Sequence, residues 1–287
     1  MAQAPVVACT PVYAREGPDC QQTDMITSRD NPKVKWMHSL LETRGRKHEQ
    51  CFLVEGAIQV DEAINAGVQP RLVFYDVGAL RASRRGRGVL ERVDSIRGEE
   101  VSAPVLQMVC DTVTPQGIVA ALPIPAAPAT LPESGLVVVL DALRDPGNAG
   151  TILRTAEAAG CVAVVATSES VDLYSPKVVR AAMGAHLRLP LLPDTQWSLL
   201  ERLLAGRGVY LAEAGKGQLY FAIDWTKPAA LVIGNETEGL RPEAQRCATG
   251  RVSIPMPGRA ESLNAAVAAS IIIFESVRQN LSLHKGA

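Results

Sequence analysis

Apolar residues in the second half of the chain form short continuous runs that alternate with amphipathic stretches. Leu136–Leu140 and Cys161–Ala166 are rich in β-branched side chains, as in strands buried on both faces, and residues 149–159 between them have a helical pattern. This repetition of strand, helix and strand predicts a parallel sheet covered by helices, with ligands at the carboxyl ends of its strands. The other predicted elements of this half are strands at Val209–Ala212, Ala230–Ile233 and Arg251–Ile254, and helices at Trp197–Leu204 and Leu263–Gln279.

The first half of the chain has shorter patterns, which predict a small α/β domain. An amphipathic helix with its basic residues on the outer face follows Asn31-Pro32. Further elements are predicted in this order: strand Phe52–Val54, helix Val60–Ala66, strand Arg71–Tyr75, helix Arg84–Asp94 and strand Gln116–Ala121.

A proline-rich stretch separates the two halves. Leu122–Pro132 contains four prolines in eleven residues and no periodic pattern, which is typical of a semi-rigid linker. We therefore predict a disordered tail at residues 1–24, a first domain at 25–121, a linker at 122–132 and a second domain at 133–287. The length of 287 residues agrees with two domains.

The net charge of −1 argues at first against a nucleic-acid partner, but the basic residues are clustered. One cluster lies between Arg29 and Lys47, and a second, with seven arginines, lies between Arg71 and Arg97. Local positive patches bind polyanions whatever the charge of the whole chain, although a solvated helix face explains either cluster equally well. The residues of these clusters predicted to contact a nucleic acid are Arg44, Arg46, Lys47, Arg84, Arg85 and Arg87.

Several classes of protein are excluded by composition. The longest apolar stretch, Leu263–Phe274, is shorter than the ~18 residues that cross a membrane. The six cysteines have no C-x-x-C spacing and the four histidines form no paired motif, so we predict no metal site and reduced thiols, with Cys161 buried. Residues 1–24 lack a hydrophobic signal core, and we predict a cytoplasmic protein.

Three loops that follow predicted strands carry polar residues and glycines. The first motif loop, residues 141–154, contains Gly147, Asn148, Gly150 and Arg154; Asn148 is suited to cap the following helix, whose N-terminus is a plausible phosphate site. In the second motif loop, residues 234–240, two glycines bracket two glutamates. In the third motif loop, residues 254–264, Ser262 and Asn264 precede an apolar helix. A capped helix whose arginine pairs with an exposed acidic side chain would explain the first loop alone.

The order of the three loops carries more information than any one of them. N-x-G-x-x-x-R from Asn148, I-G-N-E-x-x-G-L from Ile233 and I-P-M…S-L-N-A-A-V-A from Ile254 resemble the signature motifs of the SpoU/TrmH family. These proteins are RNA ribose 2′-O-methyltransferases of the SPOUT superfamily. The first half of the chain, with Phe52-Leu-Val-Glu-Gly56 and Thr114-Pro-Gln-Gly-Ile118, resembles the substrate-binding domain that precedes the catalytic domain in this family.

The resemblance implies a fold, a cofactor and a set of site residues. It implies a SPOUT-type parallel sheet with a trefoil knot, S-adenosylmethionine as cofactor, a homodimer, and RNA as substrate, most plausibly large-subunit (23S) ribosomal RNA. Arg154 is the implied catalytic residue; because a guanidinium stays protonated, we expect it to anchor a phosphate and stabilise the forming alkoxide. The residues implied to orient the reaction are Asn148, Glu236, Ser262 and Asn264, and those implied to contact the cofactor are Gly234, Asn235, Ile254, Met256 and Leu263.

Other functions remain open at this stage. A dinucleotide-binding oxidoreductase is disfavoured because no G-x-G-x-x-G follows a strand, and a hydrolase with Ser262 as nucleophile is disfavoured because no G-x-S-x-G surrounds it. A tRNA 2′-O-methyltransferase and a non-catalytic RNA-binding or ribosome assembly factor are the remaining alternatives.

Overall fold

The computed structural model describes residues 25–235 and 238–284. The predicted tail at residues 1–24 and Glu236 of the second motif loop lie outside the described residues. Within the described ranges no helix is long and apolar enough to cross a membrane.

The first domain contains a four-stranded sheet in the order β1-β4-β2-β3. β4 runs antiparallel to β1 and β2, and β3 runs parallel to β2. Its helices are Pro32–Ser39 (α1), Thr43–Glu49 (α2), Ala57–Asn65 (α3), Val77–Arg81 (α4), Arg84–Leu90 (α5) and Ala103–Val109 (α6), and its strands are Cys51–Glu55 (β1), Leu72–Tyr75 (β2), Gly98–Glu100 (β3) and Ile118–Pro123 (β4).

Two boundaries in the first domain differ from the prediction. The helix predicted to reach Asp94 ends at Leu90, because the chain turns there and a short 3₁₀ segment brings Val93 and Ile96 into the core. β4 continues to Pro123, two residues into the segment predicted as linker, and fully buried Leu122 pairs with Phe52 of β1.

The second domain contains a seven-stranded sheet in the order β7-β6-β5-β10-β8-β11-β9, and all of its strand pairs are parallel. The predicted parallel α/β class is confirmed. Strands are Leu136–Leu140 (β5), Ala163–Thr167 (β6), Leu191–Thr195 (β7), Gly208–Ala212 (β8), Gln218–Leu219 (β9), Ala229–Ile233 (β10) and Gly250–Ser253 (β11), and helices are Pro146–Ala158 (α7), Pro176–Ala182 (α8), Trp197–Leu203 (α9), Pro242–Cys247 (α10) and Ala265–His284 (α11).

The strand order brings the motif loops to one edge of this sheet. β10 lies between β5 and β8, with Ile233 in register with Leu140, so the first and second motif loops start side by side. β11 lies on the other side of β8, and the third motif loop leaves the same edge from its carboxyl end. Strand order does not define how the loops thread, and the trefoil knot stays a prediction.

A shared interior joins the two domains. The ring of Phe52 in β1 lies 5.1 Å from that of Tyr174 and 5.6 Å from that of His186, both in the second domain. Burial lowers the pKa of His186 to about 4, so its neutral imidazole donates through Nε2 to the carbonyl oxygen of Leu173 at 2.7 Å. The domains therefore pack as one body with a continuous apolar core.

Candidate active site

The first motif loop ends in a capped helix. Asp145 is the N-cap residue of α7, and its Oδ1 accepts a hydrogen bond from the backbone N–H of Asn148 at 2.7 Å. The expectation that Asn148 caps this helix is therefore wrong: Asn148 lies inside the first turn. Its side chain instead contacts the third motif loop.

Gly150 has a packing role. A Cβ atom at this position would lie 2.4 Å from the Cβ of Ala181 and 2.8 Å from the carbonyl oxygen of Val178, both in α8. Real carbon–carbon contacts are ~3.5–4.0 Å, so only glycine allows α7 and α8 to approach this closely. The glycine of the N-x-G-x-x-x-R motif thus positions the helix that carries Asn148 and Arg154.

The third motif loop meets the first through a pair of asparagines. Oδ1 of Asn264 accepts hydrogen bonds from the backbone N–H groups of Ala266 at 2.9 Å and Val267 at 3.2 Å, which caps the start of α11. The amide nitrogen Nδ2 of Asn264 donates to Oδ1 of Asn148 at 2.9 Å. Because the cap fixes the orientation of the Asn264 amide, it also fixes its contact with Asn148.

Two other predicted residues of these loops face solvent. Arg154 is exposed on α7, and in the described part of the chain its guanidinium makes no hydrogen bond or ion pair. Ser262 is exposed too and has no hydrogen-bond partner among the described residues. An exposed guanidinium without a partner among the described residues is suited to bind an incoming anion.

The second motif loop is folded against the first. Asn235 is buried; its Nδ2 donates to the carbonyl oxygen of Ala142 at 2.9 Å, and its Oδ1 accepts from the backbone N–H of Glu238 at 2.9 Å. Two backbone hydrogen bonds between Asn235 and Gly239 close the loop. A Cβ at Gly234 would lie 2.9 Å from the carbonyl oxygen of Gly239, so this turn also requires glycine.

A cavity of about 420 Å³ opens where the third motif loop leaves the sheet. Ile254 and Met256, two of the residues predicted to contact a cofactor, line it, whereas the other three, Gly234, Asn235 and Leu263, are not among its lining residues. Its volume falls in the range of small-molecule sites. The other residues of its wall are Ala214, Gly215, Gly217, Leu219, Ser253, Pro255 and Glu261.

The loop after β8 forms one wall of this cavity, and none of its residues is among the predicted site residues. Gly217 has φ +82°, and a Cβ there would lie 2.2 Å from the carbonyl oxygen of Arg251 in β11. The signal available in the sequence was a pair of glycines, Gly215 and Gly217, shortly after a predicted strand. A larger groove of about 520 Å³ lies at the opposite, amino-terminal end of β8 beside Arg207 and Cys247, away from the motif loops.

The comparisons with known proteins agree with this geometry. The SpoU rRNA Methylase family matches residues 135–274, and an MRM3-like substrate binding domain matches residues 31–120. The chain is 34% identical to a 23S rRNA (uridine(2479)-2′-O)-methyltransferase from Streptomyces viridochromogenes, over 90% of this chain and 93% of that protein. The chain belongs to the SpoU rRNA methylase family. Membership confirms the family and the methyltransferase class that the motifs predicted.

Other members of the SpoU family show the same similarity. A 23S rRNA (guanosine(2553)-2′-O)-methyltransferase from Bacillus subtilis is 33% identical over 87% of this chain and 97% of its own length. The crystal structure of the SpoU methyltransferase AviRb from Streptomyces viridochromogenes, in complex with the cofactor AdoMet, superposes with a TM-score of 0.77. It is 31% identical and is matched over 88% of this chain and 99% of that chain.

One of the predicted RNA contacts in the substrate-binding domain, Arg46, is wrong. Arg46 is buried: it donates to the carbonyl oxygens of Leu40 at 2.8 Å and Leu41 at 2.7 Å, and it forms an ion pair with Asp172 at 2.6 Å. Its guanidinium is saturated by the protein and is unavailable to RNA. The amphipathic pattern missed this because Asp172 lies far along the chain, in the second domain.

The other predicted RNA-contacting residues are on the surface. Arg44 is exposed, and Lys47 forms an exposed ion pair with Asp194 at 2.8 Å that raises the pKa of the lysine. The α5 arginines, a name used here for Arg84, Arg85 and Arg87, are all exposed.

No group of three potential metal ligands clusters among the described residues. The absence of a metal stays a prediction.

Proposed function

We propose that this SpoU-family protein transfers the methyl group of S-adenosylmethionine to a ribose 2′-hydroxyl of large-subunit ribosomal RNA. The names of the two 23S rRNA relatives and the AdoMet-bound neighbour support the substrate class and the cofactor. The observation that carries the proposal is the Asn264–Asn148 hydrogen bond of 2.9 Å. It joins the loop that lines the cavity to the helix that presents Arg154.

The residues of the cavity fit the proposed cofactor. Ile254, Met256 and Leu219 offer apolar surface, while Glu261 and Ser253 offer polar atoms within the same wall. Glycines leave backbone N–H and C=O groups accessible for specific hydrogen bonds. When bound, S-adenosylmethionine supplies an electrophilic methyl group on a sulfonium, so the reaction requires no metal from the protein.

Arg154 would act on the RNA. The guanidinium stays protonated at neutral pH and binds phosphate oxygens through paired N–H donors. Anchored on the phosphate next to the target ribose, it would orient the 2′-hydroxyl and stabilise negative charge as the oxygen attacks. Asn148 and Asn264 would hold the two loops in place, and roles for Ser262 and Glu236 remain part of this proposal.

The remaining predictions about assembly belong to this proposal. α11 exposes Val267, Phe274 and Leu281 at intervals of seven residues, which forms one apolar stripe along the helix. A stripe of this kind is typical of a helix that packs against a partner, and it supports a homodimer. The trefoil knot, the RNA contacts of the α5 arginines and a cytoplasmic location are proposed on the family resemblance.

The test is to map 2′-O-methylation in ribosomal RNA and tRNA with and without the protein. Alkaline hydrolysis stops at each methylated ribose, so a new protein-dependent stop in 23S rRNA is the expected result. Arg154→Ala should abolish that stop and keep the affinity for S-adenosylmethionine within about threefold, because its role is on the RNA side. Arg202→Ala, an exposed arginine on α9, is the matched control and should retain activity.

Other outcomes would assign other functions. A stop in tRNA alone would identify the tRNA-modifying alternative. Tight RNA binding without any methylation, and without binding of S-adenosylmethionine by calorimetry, would identify a non-catalytic assembly factor.

A further inference from the structure

Asp141, the first residue after β5, is a buried carboxylate outside the predicted site residues. It is 0% exposed and forms no ion pair with any described residue. Burying an ionised carboxylate without a cation is costly, so the carboxylate must accept several hydrogen bonds to be stable there. Two donors approach it: the indole Nε1–H of Trp197 reaches Oδ1 at 3.1 Å, and the backbone N–H of Arg241 reaches Oδ2 at 3.0 Å.

The two donors come from different elements. Trp197 begins α9, whereas Arg241 is the N-cap residue of α10 and directly follows the second motif loop. Both carboxylate oxygens are therefore used as acceptors. An amide of the same shape has a single acceptor oxygen and would leave one donor facing an N–H group.

The next residue, Ala142, holds the other end of the second motif loop. Its carbonyl oxygen accepts from Nδ2 of Asn235 at 2.9 Å, and its N–H donates to Oγ1 of Thr167 at 3.0 Å. Ala142 has φ +56°, a left-handed conformation that a residue with a Cβ rarely adopts. Strain of this kind persists only where the surrounding contacts determine the turn.

The turn at residues 141–142 therefore clamps both ends of the second motif loop. Asn235 stands at the start of that loop and Arg241 immediately after its end. The same turn opens the first motif loop, which leads to Asn148. Its geometry sets the distance between the two loops.

We propose that Asp141 is a positioning residue for methyl transfer, which acts through the backbone N–H of Arg241 to hold the second motif loop against the first. The inference rests on the proposed function. The two proposals can be tested separately, because the role of Asp141 concerns the ratio of activities between variants. A wild-type protein that methylates no RNA would contradict the proposed function but not the contact between Asp141 and Arg241.

The primary variant is Asp141→Asn. It keeps the volume of the side chain but can accept only one of the two donors. We expect kcat per S-adenosylmethionine-binding site to fall about 10- to 100-fold, since a displacement of ~1 Å in a catalytic loop has effects of this size. The Kd for S-adenosylmethionine, measured by calorimetry, should change less than about threefold, since neither Asp141 nor Arg241 lines the cavity.

A rescue variant separates positioning from general stability. Trp197→Phe removes the competing indole donor and alone should keep kcat within about threefold of wild type. In Asp141→Asn/Trp197→Phe the amide is free to turn its oxygen toward Arg241, so kcat should return to within about threefold of Trp197→Phe. The thermal midpoint should not recover in parallel, because the tryptophan contact stays lost.

A second pair of variants covers failure of Asp141→Asn to fold. Arg241 has φ −71°, which proline adopts, so Arg241→Pro removes the N–H donor while Arg241→Ala retains it. The proline variant should lose at least tenfold more kcat than the alanine variant. The proposal is overturned if kcat per binding site is unchanged in Asp141→Asn, if the double variant is no more active than Asp141→Asn, or if the two Arg241 variants are equally active.

Discussion

Gly150→Ala offers a direct test of how the first motif positions the active site. The added methyl group would lie 2.4 Å from the Cβ of Ala181, 2.8 Å from the carbonyl oxygen of Val178 and 3.1 Å from the backbone nitrogen of Ala182. Two of these three atoms are backbone, so no side-chain rotation relieves the overlap. α7 and α8 must move apart by ~1 Å to restore ordinary contact distances.

The size of the effect follows from two opposing contributions. Overpacking in a close helix contact costs ~1–3 kcal/mol, while replacing a helical glycine by alanine gains ~1 kcal/mol from propensity. We expect a net loss of up to about 2 kcal/mol, which for a chain of this size lowers the thermal midpoint by up to about 8 °C. Asn148 lies two residues earlier on the same helix, so the 2.9 Å hydrogen bond with Asn264 should weaken as well.

Calorimetric melting and methyl-transfer kinetics on purified variants measure the two consequences. Gly88→Ala is the matched control, because a Cβ added at Gly88 in α5 would have no atom within 4 Å, and this variant should gain up to ~1 kcal/mol. For Gly150→Ala, kcat should fall about tenfold or more. A Gly150→Ala protein as stable and as active as the Gly88→Ala protein would refute the packing argument.

Three further outcomes follow from the structure. Arg46→Ala removes one partner of the ion pair with Asp172, whose side chain is 23% exposed. In urea titrations this variant should lower the free energy of unfolding by about 2–3 kcal/mol. The control Lys47→Ala breaks an exposed ion pair and should lower the free energy of unfolding by less than ~1 kcal/mol. The pKa of His186 is about 4 in the folded protein instead of 6.5, so the unfolded chain binds the proton first. The contribution of His186 to the free energy of unfolding should therefore be complete above pH ~6.5 and fall by about 3 kcal/mol as the pH drops toward 4. His186→Gln should not show this loss, and equal pH profiles would contradict the assignment. Charge reversal of the α5 arginines should weaken RNA binding and flatten the slope of the logarithm of the RNA-binding constant against the logarithm of salt concentration by up to ~3. An unchanged slope would show that these arginines do not contact RNA phosphates.

The strongly patterned parts of the fold were predictable from the sequence. β5 and β10 are buried on both faces, and a run such as Leu136–Leu140 has few other structures open to it. The loops that follow such strands must meet at the carboxyl edge, which is why the motif residues Asn148 and Asn264 could be grouped before their contact was observed. The shorter α8 and α10, with seven and six residues, leave too little periodic pattern to be found.

The parts that could not be predicted depend on contacts distant in sequence. Arg46 belongs to a basic cluster by position, and only the fold places Asp172 opposite it, 126 residues further on. Asp141 follows a strand as many loop residues do, and its burial between Trp197 and Arg241 is a property of three packed elements. A single sequence contains the residue types of such contacts but not their partners.

The interface between the domains also changes what the linker does. A proline-rich segment between two independent domains would set their distance by its own stiffness. Here the rings of Phe52, Tyr174 and His186 pack in tilted orientations with their centroids 5.1–5.6 Å apart. The ion pair between Arg46 and Asp172 is a further contact between the domains. These contacts fix the position of the substrate-binding domain, so the segment after Pro123 has only to span a distance that the interface sets. An RNA held by the α5 arginines would therefore meet the motif loops at a defined place, and a change at the interface should alter substrate positioning more than a change in the linker.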